Sequence, residues 1–499
     1  MFFRLATLLL LMVTAMSLTA QTPEEAQAKA LVLQSYALAR NAPPEARADL
    51  LGKQAMVADK VDEQLARQWS EELWATSQGL PDGQRFIAQH AAVLSMTQAD
   101  PLRAYTMTRA MTLPKRFVVS GGYDMGMSDI VNALWKKQGE AALPTVQTIL
   151  RELSGTGDYP YFALGNLIAQ LQKSNPGVAK VLFEDAVGSY MRAPEKPPNF
   201  DQFIEITWRA LPPDAVRPVL NSVVDSLLAN DAPGPDFYGR FILRDRSVID
   251  FRTPTTANLL NLVPVMKALD LELLQRVLAS RPELSVVARG ESYGMQAYSG
   301  PGAGPERLDE RQNPDMMMDP EKAIAAARAH QDVWKRALAL AEVARHFSWG
   351  NPDRMLDALK EADALVPQID NEQAKISVLA SIAQSAQSMG DVQLARSATE
   401  RGLALVSASY KHVVSATGGC PDQSAMNAQF AFDRFTETAG AVDVNFAVAH
   451  LSDYKDPLIQ ARLLANAAAG MLQAADQRRS KVETKKVREQ WKASPASHE

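Results

Sequence analysis

Three observations predict an all-α fold, an α-solenoid of antiparallel helix hairpins. Apolar residues recur at helical spacing, most legibly from Trp334 to Ser409. Proline, Asn and Asp interrupt that spacing at related intervals along the chain. β-branched runs are scarce, and no stretch alternates in the manner of a half-buried sheet.

Residues 1–20 read as an export signal. Arg4 supplies the positive end, Leu5 to Val13 the apolar stretch, and Ser17-Leu18-Thr19-Ala20 a small-residue cleavage site before Gln21. The apolar stretch is short for a bilayer, and no later one is long and uncharged enough to cross it. No cysteine follows that could carry a lipid anchor. The expectation is cleavage near Ala20 and a periplasmic or secreted protein of a bacterium-like cell.

The formal charge is −5, or −6 once Arg4 leaves with the signal. A basic tail, 477–499, carries net +4, which leaves −10 on residues 21–476. Neutralising phosphates needs a basic surface, so nucleic acid is excluded as the main partner. One cysteine, Cys420, forms no internal disulfide. A chain of several hundred residues buries an adequate core without one.

Residues 21–289 are expected to form an N-terminal helical array. Pro43-Pro44 marks its first turn, and Trp69 and Trp74 share a long helix, where packing under neighbouring helices outweighs a sugar-stacking role. Later helices open at Pro101, Pro176 and Pro213, each after a polar or turn-forming residue. Lys115 to Ser128 holds Gly121, Gly122 and Gly126 but lacks the lysine and strand context of a phosphate loop. Asp201 and Glu205 are i,i+4 neighbours with Trp208 one turn on. Two carboxylates on one helical face can share acid–base work, although a solvated face is the commoner outcome.

Residues 290–318 are rich in Gly and Pro and read as a linker or functional loop dividing two halves. Glu291-Ser292 is the dipeptide that opens the catalytic motif of lytic transglycosylases, but the Gly-Leu-Met-Gln element that should follow is missing. Met316, Met317 and Met318 offer thioethers in principle, with composition as the plainer account.

Residues 319–476 are expected to form a C-terminal array whose clearest part is four helices in two hairpins. Pro352 suits a first helical turn, Gly390 a C-terminal cap and Asp391 the next N-cap. The breaks at Pro352 and Asp391 lie about 40 residues apart, as stacked hairpins require. Ala383, Gly390-Asp391, Ala395 and Leu403 make this stretch resemble the tetratricopeptide repeat family. They fall where that repeat has a small residue in helix A, a Gly-Asp turn, a small residue in helix B and a late apolar contact. Ala344, Phe347 and Pro367 carry the likeness into the preceding hairpin, while Leu379 and Ala386 stand where the family has Trp and Tyr. The resemblance covers about two repeats. It implies a superhelix of paired helices and, as a family tendency, a protein or peptide partner.

Tyr410 to Gln423 interrupts the pattern and carries His412 and Cys420, too few ligands for a zinc site. Pro457 opens the last helix, which the basic tail extends. No complete catalytic constellation, cofactor motif or metal motif emerges. The expected function is therefore a non-catalytic scaffold or peptide-binding protein of the cell envelope, with an exported hydrolase or lyase on glycan or peptide as the alternative. If helix A of each hairpin lines a concave face, its non-core residues include Arg336, Glu342, Arg345 and His346, then Lys375, Ser377, Ser381, Gln384 and Gln387. Arg345, His346, Lys375 and Gln384 are the candidate binding residues.

Overall fold

The computed structural model describes residues 22–111, 126–193, 200–229, 237–242, 248–251, 253–289, 295–301, 319–348, 351–409 and 423–493. The export signal, Glu291-Ser292, Met316 to Met318, His412 and Cys420 lie outside them. In chain order the first helices are α1 (Pro23–Ala39), α2 (Pro44–Val61), α3 (Glu63–Ser77) and α4 (Asp82–Ala99). Then come α5 (Pro101–Ala110), α6 (Met127–Gln138), α7 (Leu143–Leu153), α8 (Tyr161–Ser174), α9 (Pro176–Arg192), α10 (Phe200–Thr207) and α11 (Pro213–Ala229). Strands β1 (Phe237–Ile242) and β2 (Val248–Phe251) follow, then α12 (Pro254–Leu269), α13 (Leu271–Ser280), α14 (Ser285–Arg289) and β3 (Met295–Pro301). The last elements are α15 (Pro320–Ala329), α16 (Val333–Phe347), α17 (Pro352–Leu365), α18 (Glu372–Met389), α19 (Val392–Ser409), α20 (Gln423–Val442), α21 (Val444–Ala449) and α22 (Pro457–Ala493).

The protein is almost entirely helical, and the helices begin where local chemistry dictates. Asn351, Asn371 and Asp391 accept from Arg354 N, Ala374 N and Leu394 N at 3.3, 2.9 and 3.0 Å. Each side chain satisfies a donor that a helix start leaves orphaned. Gly390 ends α18 at φ 89°, a conformation that costs a β-carbon dearly.

A small antiparallel sheet of order β2-β1-β3 interrupts the otherwise helical chain. Its edge strand β3 occupies residues within 290–318, which were expected to be a loop without regular structure. Phe241 pairs with Ile249 on one side and Gln296 on the other, across a register shift between Arg240 and Phe241. Ile249 and Phe251 are buried while Asp250 is exposed, so β2 alternates from Ile249 to Phe251.

Packing also divides the chain differently from the expected halves at 290–318. One unit takes Met1–Asp100 together with Ala327–Glu499, and the other takes Pro101–Ala326. The reason lies in the first unit's core. Ala28, Leu31, Val32, Leu51, Ala55 and Trp69 pack in one cluster with Leu464, Ala468, Met471 and Leu472. Helix α22 thus lies against α1 and α2 from the other end of the chain, and against α20 as well. In the same unit α16 packs on α17 and α18, and α18 packs on α19 and α20. In the second unit α8 packs against α6, α9 and α10, and α12 against α10, α11 and α13. Its core is aromatic: Phe200 stacks on Tyr190 at 4.0 Å between centroids and meets Tyr161 edge-on at 5.0 Å.

Candidate functional site

The expected binding residues sit on two packed helices, α16 and α18. Arg345 and His346 are exposed in the last turn of α16, and Lys375 and Gln384 are half-buried on α18. Ser385 Oγ donates to the Ala341 carbonyl at 3.2 Å and ties α18 to α16. His346 meets the ring of its neighbour Phe347 edge-on at 4.7 Å. Lys375 and Gln384 stand about 13 Å apart along their helix, because each residue advances 1.5 Å. They do not share one patch.

The structure brings Arg345 together with charges on α20 that sequence reasoning had left out. Desolvation holds the Arg434 guanidinium below the ordinary arginine range, and repulsion from Arg345 adds to it, while Glu437 and Glu342 pull the other way. Desolvation also raises the Glu437 carboxyl, with Asp433 adding and Lys53, Arg462 and Arg434 opposing. Two carboxylates and two guanidiniums from α16 and α20 therefore share a field of mixed sign, in which the two α20 groups are partly dehydrated.

Deeper along α20 this field joins a network centred on the buried Arg462 and Asn466. The Arg462 side chain on α22 is 2% exposed, and its guanidinium grips Asp433 with Nε to Oδ1 at 2.6 Å and Nη2 to Oδ2 at 2.7 Å. Nη1 donates to Asp49 on α2. Asn466, one turn on, donates to Asp433 Oδ1 at 2.7 Å and to Thr436 Oγ1 at 2.9 Å. Lys53 Nζ approaches Asp433 Oδ2 at 3.1 Å. Burial pushes the Asp433 carboxyl up, but Arg462, Lys53 and Asn466 outweigh it and hold it below the usual carboxylate range. The signal was present in the sequence: Arg462 and Asn466 are i,i+4 polar residues inside the apolar run Leu458 to Leu472, on a face that had to be buried.

In the second unit, Asp201 and Glu205 occupy α10. Asp201 is 4% exposed, and Asn261 Nδ2 donates to its Oδ2 at 2.9 Å. Its Oδ1 and the buried Trp208 Nε1 find no hydrogen-bond partner among the described residues. Desolvation lifts the Asp201 carboxyl to about 6, against Asn261 and the nearby backbone amides of Gln202 and Asp201, with a smaller upward push from Glu205. Glu205 is raised by burial too, with Arg209 opposing. This pair can hold a proton near neutrality, which an ordinary solvated face cannot do. Trp69, by contrast, is a core residue, 1% exposed and stacked on Tyr36 at 4.9 Å.

Among the described residues no helix is long and apolar enough to cross a membrane. No family model matches the chain. No curated protein matches it either. Among solved structures the chain is similar to one described as a circular tandem repeat protein with novel repeat topology and enhanced subunit contact surfaces. The two are 14% identical over 92% of this chain and 88% of that one, at a TM-score of 0.11, far below what a fold argument needs.

Proposed function

We propose that the protein is an exported, non-catalytic helical-repeat scaffold of the bacterial cell envelope, binding a protein or peptide partner through its first unit. The observation that carries this reading is the mixed-charge field of Glu342, Arg345, Arg434 and Glu437. In a tetratricopeptide-like superhelix α16, α18 and α20 would be the inner helices of successive hairpins, and their packing next but one in sequence suits that role. Charges of both signs select a partner by complementary pattern, a property suited to peptide recognition. The apolar leader ending at Ala20 supports export.

The test is a double substitution, Arg345→Glu with Gln384→Glu. Partners are captured from an envelope extract, identified by mass spectrometry, purified and titrated against both proteins. A tenfold or greater loss of affinity at an unchanged melting temperature is expected. Equal affinity of the two proteins would remove the surface assignment.

A second reading, an exported hydrolase or lyase acting on glycan or peptide, draws support from the unpartnered Oδ1 of Asp201 and its elevated carboxyl. Zymography on peptidoglycan separates the two. Clearing by the parent protein that Asp201→Asn and Glu205→Gln abolish would replace the scaffold reading.

A further inference from the structure

A cavity of about 230 Å³ lies in the second unit between the C-terminal ends of α7 and α9 and the loop that follows α7. Gln147, Leu150 and Arg151 come from α7, Ser154 and Tyr159 from the loop, and Asp185 and Arg192 from α9. The loop turns through Gly155 at φ 79°, and a β-carbon there would press on Arg192 Cβ at 3.4 Å. Gly155 N also donates to Ser189 Oγ at 3.0 Å, which holds the loop to α9. Arg192 Nη2 donates to Ser154 Oγ at 2.6 Å, so this guanidinium is held in place across the cavity wall.

The polar inventory of this cavity exceeds its internal pairing. Arg151 and Asp185 make no ion pair or side-chain hydrogen bond among the described residues, and Arg192 has no carboxylate partner there. Tyr159 is 2% exposed, and its hydroxyl has no hydrogen-bond partner among the described residues.

We propose that this cavity binds a small zwitterion, a free α-amino acid, with its carboxylate on Arg151 and Arg192 and its ammonium on Asp185. An anion alone would satisfy the guanidiniums but would face the Asp185 carboxylate. A cation alone would face two guanidiniums. Only a ligand carrying both charges pairs all three groups. The cavity is of a size for one such molecule and too small for a folded partner. Arginine suits the carboxylate end because its planar fork donates two parallel hydrogen bonds.

The experiment is isothermal titration of the full chain with glycine, L-alanine and L-leucine, against acetate, ethylamine and inorganic phosphate. At least one amino acid should bind with one-to-one stoichiometry and at least tenfold more tightly than acetate, ethylamine or phosphate. Arg151→Gln and Asp185→Asn should each weaken that binding at least tenfold. Both side chains are exposed, so these variants should keep the parent's circular dichroism spectrum and melting temperature. Absence of saturable amino-acid binding overturns the proposal. So does acetate or phosphate binding as tightly as the amino acid, or an Asp185→Asn variant that binds more tightly, because either describes a plain anion site.

Discussion

Two largely buried carboxylates, one in each unit, contribute to the protein's pH dependence in opposite directions. Asp433 is held below the ordinary aspartate value by Arg462, Lys53 and Asn466 against the cost of burial. Its stabilisation is complete above the unfolded aspartate value and is lost as pH falls through the depressed folded one. Asp201 is lifted from 3.8 to about 6 by desolvation. Between those values the folded state holds a proton that the unfolded chain has released, so stability falls as pH rises from about 4 to 6. Above that window the penalty reaches about 3 kcal/mol, at 1.36 kcal/mol for each unit. Asp201→Asn keeps an oxygen for the Asn261 amide and removes the charge. It should therefore raise the unfolding free energy at pH 7.5 by about 1–3 kcal/mol and flatten the slope between pH 4 and 6. Urea titrations at a series of pH values measure both, and an unchanged slope would mean that Asp201 is not the group responsible. For Arg462 the expectation is the reverse. Arg462→Ala leaves Asp433 buried without its main partner and should cost about 3–5 kcal/mol. Arg462→Met with Asp433→Leu, which removes both charges, should recover much of that loss.

At the scale of elements, the contact between α20 and α22 is set by glycine. A β-carbon on Gly440 would run into the backbone of Ala467, and one on Gly470 into the backbone of Glu437. The two helices approach backbone to backbone, which is what lets Arg462 and Asn466 reach Asp433 and Thr436 with short side chains between them. Gly440→Ala should therefore force the pair apart, costing about 1–3 kcal/mol or more as overpacking does, although alanine is the better helix former. Gly177, whose added β-carbon would meet nothing within 4 Å, is the control, where alanine should be neutral or stabilising. Thermal melts of the two variants decide the matter, and equal melting temperatures would refute the close-approach argument. Legibility followed the same line at this scale. Pro352, Asn351, Gly390 and Asp391 act on residues within one turn, so helix ends at these positions were readable. The close crossing was not, because Gly440 means little until Ala467 is known to lie beside it.

At the scale of the whole molecule, the first unit depends on both ends of the chain. Ser35 Oγ on α1 donates to the Ala461 carbonyl on α22 at 2.6 Å, and Gln54 Nε2 on α2 donates back to Ser35 Oγ at 2.9 Å. Leu464, Ala468, Met471 and Leu472 would face water without α1 and α2. A variant lacking residues 22–100 should melt at a lower temperature and bind the dye ANS, and added 22–100 fragment should reverse both effects. A truncated variant that melts like the parent would show that the two ends are not one cooperative unit.

The sequence by itself determined what local rules decide: a helical protein, helix starts at its Pro and Asn or Asp positions, an acidic body with a basic tail, and Arg345 among the candidate groups. Tertiary structure alone decided what depends on residues far apart along the chain. It placed α1 against α22, paired Arg462 with Asp433 and Asp49, and built a sheet from strands too short to announce themselves. It also turned Asp201 from a surface carboxylate into a buried one. The physical reason is range. A cap or a proline acts through the hydrogen bonds of one turn, whereas burial, desolvation and strand pairing depend on which distant segment comes to lie alongside.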